Sequence, residues 1–437
     1  MKPFPSTSGY FHFGDDVTCY GSYYGERAAE SPAGILQDAS FETTVNNGVT
    51  YLPFNPSQVA SNLRREVYAS DWQSESYMSI LSKLYYFVRP LLPVGVRRYL
   101  QKIHLRGWEA QAFPRWPIDS SVDNLFEKLL LCCLRANGVE RIPFIWFWPN
   151  GAPSAAIMTH DVETEAGRDY CSSLMDLDDS FGIKSSFQIV PEVRYSVTPS
   201  FLKSIHDRDF EVVIHDLNHD GHLYKNRAQF FKRAAKINSY GREYGAAGFR
   251  AGVLYRKQLW YDALDFSYDM SVPNVAHLDP QHGGCCTVMP YSMGEILELP
   301  VTTTQDYTLF HILEDYSTDL WKTQIDLILQ KHGLISFIVH PDYIIGARER
   351  RVYEELLDLL STLRDEKSVW IARPGEVTRW WRQRAEMKLV EKGDRWQIVG
   401  PGSERACVAY ASEKEGRLVY SLQVEVNQEV SPRTRPA

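Results

Sequence analysis

Short apolar runs alternate with longer amphipathic stretches through the middle of this 437-residue chain. Five runs have the length and composition of buried strands, and they occupy residues 155–159, 185–190, 210–214, 296–299 and 334–339. Three stretches between them have helical spacing, at residues 230–240, 320–332 and 350–363. This alternation predicts an α/β fold, with a mainly parallel sheet or barrel and helices outside it.

The composition and the pattern of apolar residues change on both sides of this central part. Residues 1–140 begin rich in Gly, Ser and Tyr, and residues 79–106 have helical spacing that Pro90 and Pro93 interrupt. Residues 386–437 contain short alternating runs separated by Gly and Pro, which predict a small β unit and a loose tail. We therefore predict a partly helical N-terminal region (1–140), a central domain (141–385) and a C-terminal β unit (386–437). No Gly/Ser linker precedes the central domain, so we expect the N-terminal region to pack against it.

Charge and cysteine usage narrow the class of protein. The formal net charge is −8 and the pI is near 5.9, which disfavours nucleic acid as a partner. The seven cysteines form two vicinal pairs and three single positions without a CxxC pair, so we predict reduced thiols. Aromatic residues make up 13% of the chain, which fits either a large core or a sugar-binding surface.

Two observations concern membranes. Residues 84–115 hold six Lys or Arg against one acid, which fits either a solvated helix face or a patch that contacts a membrane surface or glycan phosphate. The first ten residues contain no apolar core of a signal peptide, and no stretch reaches the roughly 18 apolar residues that span a bilayer. We therefore expect no transmembrane segment and a cytoplasmic location.

Two carboxylates, Asp161 and Glu163, follow the first apolar run. Residues i and i+2 of an extended chain project to the same side, so the pair can share a cation. Alternatively, one carboxylate can bind a metal while the other acts as a base. By itself the signal is weak, because an acid at a strand end is often a helix N-cap.

Two histidines, His215 and His219, follow the third apolar run. At this spacing they would face the same way on one helical turn, which suits capture of a divalent metal. A single histidine would more often be structural, but two at this spacing after a strand favour a metal site. His222 lies close by, either as a partner of these ligands or as a plain surface residue.

A third histidine, His340, ends the run at 334–339. The carboxyl ends of strands in this architecture share one face, so His340 would point into the same mouth as the other candidates. Imidazole there suits protonation of a leaving amine or alkoxide, although a buried structural histidine is the alternative. Pro341 keeps the backbone extended, and Asp342 fits either a partner for the ring or a helix N-cap.

Together these residues predict a hydrolytic centre. One carboxylate and two histidines leave positions open around a metal, as catalytic sites do. A metal held in this way brings the pKa of bound water down to about 7 and polarises a carbonyl. With a second carboxylate as base and a histidine as acid, the set suits hydrolysis of an amide or an ester.

In this order and context, the motifs resemble those of polysaccharide deacetylases with the NodB-homology fold, also called carbohydrate esterase family four. The segment Thr-His-Asp-Val-Glu at 159–163 resembles the family's Thr-Phe-Asp-Asp motif in its Asp-x-Asp variant, and His215 with His219 resembles its His-x-x-x-His motif. Val-His-Pro-Asp at 339–342 is similar to the final motif. The resemblance covers about residues 150–375 and implies a distorted (β/α) barrel with fewer than eight regular strands.

The resemblance also implies roles for single residues. Asp161 would be the base, Glu163, His215 and His219 the metal ligands, and His340 the acid. Arg250, in Gly-Phe-Arg-Ala-Gly, would orient the base, while Tyr268 and Asp269, in Phe-Ser-Tyr-Asp, would shape a groove wall to which we add His222. Two departures from the family pattern stand out: Glu163 replaces an aspartate, and the Arg motif lacks its usual prolines.

The predicted function is therefore a metal-dependent hydrolase of carbon–nitrogen bonds other than peptide bonds. The resemblance favours removal of acetyl groups from a carbohydrate, an N-acetyl sugar of a bacterial glycan. One divalent ion is expected, zinc first, with cobalt, nickel or manganese able to substitute. Two alternatives stay open: a non-catalytic member of the fold that binds glycan or metal, and an amidase that acts on a small non-sugar C–N bond.

Overall fold

A computed structural model describes residues 7–25, 27–69, 96, 100, 102–103, 105–393 and 395–423. Most of the helical stretch predicted at 79–106 lies outside the described residues, as does much of the basic stretch at 84–115. The predicted tail at 431–437 also lies outside them. No helix in the described ranges is long and apolar enough to cross a membrane.

The described part of the N-terminal region contains strands as well as helices. Its elements are β1 (Thr7–His12), β2 (Thr18–Tyr23), β3 (Thr44–Asn46), β4 (Val49–Tyr51), α1 (Pro56–Arg64) and α2 (Ser121–Asn137). β1 and β2 form one antiparallel hairpin, and β3 and β4 form another. These short, aromatic-rich strands were not predicted, because they show little regular alternation of apolar and polar positions. β5 (Arg141–Ile145) follows α2.

The central domain is built on one sheet of nine strands. They are β6 (Ala155–Val162), β7 (Ser186–Ile189), β8 (Glu211–His215), β9 (Gly248–Arg250), β10 (Tyr268–Asp269), β11 (Tyr291–Met293), β12 (Ile296–Glu298), β13 (Leu334–Ile338) and β14 (Trp370–Ile371). The order is β11-β12-β10-β9-β8-β7-β6-β13, and β14 pairs with the start of β6. Every pairing is parallel except β11 with β12. Each of the five apolar runs forms a strand of this sheet.

Helices cover the sheet, in the pattern that βα alternation predicts. They are α3 (Glu165–Ser180), α4 (Pro199–His206), α5 (Arg227–Tyr244), α6 (Asp319–Leu329), α7 (Ala347–Lys367) and α8 (Pro374–Glu386). The segment after β12 bridges the gap to β13, since the Thr303 N–H donates to the Ser336 carbonyl at 3.2 Å. The sheet is thus curled into a distorted barrel, and the predicted α/β class is confirmed.

Buried polar contacts tie the N-terminal region to the barrel. Asp123, on α2, accepts hydrogen bonds from the Thr287 hydroxyl at 2.6 Å and the Val288 N–H at 3.0 Å. Glu66 pairs with Arg256, and both are almost completely buried. The two regions therefore share an interior.

The C-terminal β unit adds β15 (Lys388–Lys392), β16 (Arg395–Val399), β17 (Val408–Lys414) and β18 (Arg417–Leu422). β17 lies between β18 and β5 in a three-stranded antiparallel sheet. β5, at the start of the segment predicted as the central domain, thus belongs to a sheet of the C-terminal β unit.

Candidate active site

The candidate residues come together because the strands of the barrel are parallel. Asp161 lies at the end of β6 with Glu163 just beyond it, His215 ends β8, and Arg250 ends β9. His340 follows β13 by two residues. The carboxyl ends of these strands lie at one edge of the sheet, where such architectures carry their chemistry.

Local sequence fixes the turn out of β6. All eight residues of the strand are buried, so it runs through the interior. Thr164 then caps α3, accepting a hydrogen bond from the Gly167 N–H at 3.0 Å. Because the chain turns immediately after Glu163, that carboxylate is held at the mouth of the barrel.

Glu163, His215 and His219 form a compact cluster. One ligand atom from each of the three lies within 4.8 Å of the others. Glu163 Oε1 is 2.8 Å from His219 Nε2 and 3.5 Å from His215 Nε2. A carboxylate oxygen and two imidazole nitrogens are ligands that zinc and similar divalent ions prefer.

The route to this cluster differs from the one predicted. The segment between the two histidines is not a helical turn, because Asp216 and His219 have φ angles of 57° and 52°. These left-handed positions bend the chain directly after β8 and return His219 to the side of His215. The predicted convergence is found, but the helical geometry given for it was wrong.

Two imidazole nitrogens of the cluster face the position that a metal would take, and their surroundings differ. His215 Nε2 and His219 Nε2 are buried and face Glu163 Oε1, but neither makes a well-aligned hydrogen bond, and such buried groups are costly unless something binds them. His215 Nδ1 lies 3.2 Å from the Arg250 carbonyl, which can only accept, so Nδ1 carries the proton and Nε2 presents its lone pair. At His219, Arg194 donates towards Nδ1 at 3.2 Å and towards the main-chain carbonyl at 2.6 Å. A guanidinium at Nδ1 favours a proton on Nε2, so ligation by His219 requires the longer of these two contacts to open. The donor set otherwise fits a divalent metal.

Arg250 holds Asp161 as the other carboxylate of the site. The guanidinium is fully buried and donates through Nη1 to Asp161 Oδ1 at 2.6 Å. It also donates to the Thr159 hydroxyl at 2.8 Å and to the Met270 carbonyl at 3.0 Å. Asp161 Oδ2 lies 3.7 Å from His215 Nε2, on the side of the metal cluster. One oxygen is therefore anchored and the other faces the site.

Electrostatics keep both carboxylates ionised. Burial alone would raise the pKa of Asp161, but the Arg250 guanidinium, with His215 and His340, holds it below the usual range. Burial would likewise raise the pKa of Glu163, but His219, with His215 and His340, holds it well below the usual range. The site thus presents two negative groups close together.

His340 has a buried partner that the sequence argument missed. Asp306 Oδ1 lies 2.6 Å from His340 Nδ1, and its Oδ2 accepts a hydrogen bond from the His340 N–H at 2.7 Å. The ring partner is therefore Asp306 and not Asp342. The sequence carried only a weak signal for it, because Asp306 lies seven residues beyond the apolar run at 296–299, whereas Asp161 lies within its own strand. Burial would lower the pKa of His340, but Asp306 and then Glu163 raise it well above its ordinary value.

Two of the three predicted groove residues are buried in the interior, and the third is exposed. Tyr268 is fully buried and donates its hydroxyl proton to Glu211 at 2.6 Å, near the opposite end of β8. Asp269 is also fully buried, accepting a hydrogen bond from the Ser271 hydroxyl at 2.8 Å. Side chains without exposed surface cannot contact a substrate, so the groove role given to these two was wrong. His222 is exposed beside Asp220, and its groove role stays a prediction.

Solved structures of hydrolases resemble this chain in fold. A Mycobacterium smegmatis protein assigned to the polysaccharide deacetylases has a TM-score of 0.45 and 17% identity, over 55% of this chain and 94% of its own. The allantoinase Puue has a TM-score of 0.43 and 14% identity, over 54% and 92%. Peptidoglycan deacetylase PdaC from Bacillus subtilis has a TM-score of 0.34 and 11% identity, over 53% and 93%. No protein-family model and no curated protein matches the sequence.

Proposed function

We propose that this protein is a metal-dependent hydrolase that removes acetyl groups from a carbohydrate. The main support for the proposal is that three groups of residues converge at one edge of the sheet. The first is Glu163 with His215 and His219, the second is Asp161 with Arg250, and the third is His340 with Asp306. Each supplies one part of hydrolytic chemistry.

In this proposal Glu163, His215 and His219 hold one divalent ion, zinc by preference. A bound divalent ion lowers the pKa of water and polarises the carbonyl to be attacked. The two buried imidazole nitrogens support this assignment, because both face the Glu163 carboxylate and neither makes a well-aligned hydrogen bond. Cobalt, nickel or manganese could take the same ligands.

Asp161 acts as the general base. Its Oδ2 faces the cluster and accepts a proton from the attacking water, while Arg250 keeps Oδ1 in place. The buried guanidinium also explains how a carboxylate in a dry interior remains ionised and ready to accept that proton.

His340 acts as the general acid. Asp306 anchors Nδ1, so Nε2 is the nitrogen that faces the site, 3.4 Å from Glu163 Oε1. One atom each from Asp161, Glu163 and His340 lies within 4.8 Å of the others, so the acid and the base serve the same small volume. His340 protonates the departing nitrogen of the sugar as the bond to the acetyl group breaks.

An aromatic cluster beside His340 supports a sugar as substrate. The Tyr343 ring is centred 4.7 Å from the His340 ring, and Tyr307 and His311 lie 5.8 Å and 5.1 Å from Tyr343. All three residues are half-buried. Aromatic faces suit the apolar faces of pyranose rings, so this cluster is a platform for the sugar that carries the acetyl group.

The test is hydrolysis of a substrate panel, followed as acetate release for the acetylated sugars and as loss of the intact substrate for the ureide. The panel contains N-acetylated chito-oligosaccharides, an O-acetylated sugar and a small ureide, each offered to the metal-loaded wild-type protein and to Asp161→Asn as the inactive control. We expect wild-type turnover on an acetylated sugar and little by the variant. Turnover of the ureide alone would instead favour the small-molecule amidase, and metal binding without turnover on any of the three would favour a binding protein.

A further inference from the structure

A buried histidine that is not part of the proposed chemistry links the chain segments that carry the base and the acid. His160 precedes Asp161 on β6, and its side chain is fully buried. Its ring Nδ1 lies 3.1 Å from the carbonyl of Val339, the residue before His340. One side chain thus joins the two chain segments that deliver the base and the acid.

This bond continues the strand pairing where the backbone stops. β6 and β13 pair in parallel up to Thr159 and Ile338, and the last backbone bond runs from the Val339 N–H to the Thr159 carbonyl at 3.0 Å. Beyond that point the His160 ring makes the next described link between the two segments. It therefore holds them together at the level where Asp161 and His340 emerge.

A second set of contacts holds the ring itself. His160 Nε2 lies 3.1 Å from Asp178 Oδ2, and Asp178 also accepts hydrogen bonds from the Ser185 and Tyr353 hydroxyls, each at 2.6 Å. All four side chains are fully buried. Because Asp178 lies on α3 and Tyr353 on α7, the ring is fixed from behind by two helices.

We propose that His160 is a positioning residue, which sets the separation of the general base and the general acid through its bond to the Val339 carbonyl. The inference rests on the proposed function, since it assigns those roles to Asp161 and His340. It adds a residue that touches neither metal nor substrate. The Thr-Phe-Asp-Asp motif that this segment resembles has phenylalanine at the position, which could make neither hydrogen bond.

Two substitutions of similar shape each keep one of the two hydrogen bonds of the His160 ring and remove the other. The amide nitrogen of Asn takes the place of Nδ1, so His160→Asn keeps a donor for the Val339 carbonyl. Gln places its amide nitrogen near Nε2, so His160→Gln keeps the contact with Asp178 and loses the link between the strands. Tyr353→Phe is the control, because it removes the hydroxyl that contacts Asp178 at 2.6 Å and His160 Nε2 at 3.4 Å but leaves the bond to the Val339 carbonyl intact.

The measurement is kcat on an N-acetyl sugar relative to kcat on an activated aryl acetate, whose leaving group needs no proton. We expect His160→Gln to lower this ratio about tenfold or more with KM little changed, because a small misplacement of an acid is costly only where the acid is needed. His160→Asn should keep a ratio near that of the wild type. Tyr353→Phe should lower the melting temperature without moving the ratio. Metal content and circular dichroism should match the wild type in all three.

Equal ratios for His160→Gln and His160→Asn would overturn the positioning role and leave His160 as a core residue. The same holds if Tyr353→Phe lowers the ratio as much as His160→Gln does. A wild-type protein that releases acetate from neither substrate would overturn the proposed function, and this inference with it, so the two failures are distinguishable.

Discussion

Asp161 and Glu163 are separated by one residue, yet their surroundings differ sharply. Arg250 donates to Asp161, whereas Glu163 Oε1 lies within 3.5 Å of nitrogens from three histidines. A guanidinium contact suits a base that must stay ionised, and an imidazole cluster suits a ligand. At the residue scale, the two proposed roles therefore follow from the neighbours of each carboxylate.

Replacing the proposed base should separate metal binding from turnover. Asp161→Asn keeps the size of the side chain but cannot accept a proton, so we expect a loss of about 10²–10⁴-fold in kcat with the metal retained. Steady-state kinetics with elemental analysis of the same sample measures both. If the variant lost its metal while Glu163→Gln kept it, the two roles would be exchanged.

The proposed acid should matter most where the leaving group needs a proton. We expect His340→Ala to lower turnover of an acetamido sugar by about 10²–10⁴-fold and turnover of an aryl acetate by much less. Asp306→Asn should weaken the same step to a smaller degree, since it leaves the imidazole in place. Equal losses of His340→Ala on both substrates would indicate a packing defect instead.

At the scale of elements, close approach of the loop after β9 shapes the metal cluster. A Cβ atom at Gly252 would lie 2.7 Å from Asp216 Oδ2 and 2.9 Å from His219 Cδ2. Only glycine therefore lets this loop pass against the segment that carries His219. The approach of two loops, and not the strand ends alone, fixes the position of the ligand.

Gly252→Ala should therefore weaken metal binding without unfolding the protein. The added methyl group must displace His219 or Asp216. We expect at least about a tenfold rise in the Kd for zinc, which is the usual loss of metal affinity when residues that orient a ligand are changed. Gly34→Ala is the matched control, because its Cβ would meet only the Ser31 carbonyl at 3.4 Å. Equal zinc affinities for the two variants, measured by competition with a chelator, would contradict this account.

Elements were predictable where the pattern was strong. The runs at 155–159 and 334–339 were predictable as strands, because strands buried on both faces have continuous apolar sequences, and the residues of both strands are buried. The conformation after β8 was not predictable, because spacing alone cannot distinguish a helical turn from two left-handed residues. Asp306 was missed for a related reason: it lies several residues beyond β12, and only the curled sheet brings it to His340.

At the scale of the whole molecule, a buried ion pair joins the N-terminal region to the barrel. Glu66 accepts hydrogen bonds from Arg256 and, at 2.7 Å, from the Gly284 N–H. Burial would lower the pKa of Arg256, but the adjacent Glu66 raises it well above its usual value. Residues this far apart in sequence give no local signal, so the pairing could not be predicted from the chain.

Breaking this pair should destabilise the protein strongly. Glu66→Gln leaves the Arg256 charge buried without its paired carboxylate, and we expect a loss of about 3–5 kcal/mol in the free energy of unfolding. Glu30→Gln is the control, because it breaks the exposed pair between Arg27 and Glu30 and should change little. Chemical denaturation measures the free energy of unfolding of both variants. A loss for Glu66→Gln as small as that for Glu30→Gln would show that the N-terminal region does not depend on this contact.

Acetate release should depend on one metal ion held by Glu163, His215 and His219. The most direct test is the rate of acetate release from an N-acetylated chito-oligosaccharide as zinc is added back to chelator-treated protein. We predict a negligible rate before addition, a plateau near about one equivalent of zinc per chain, and no recovery at that ratio for His215→Ala. Release by the chelator-treated protein at the untreated rate, or full recovery by His215→Ala, would show that the reaction does not depend on a metal held by these residues.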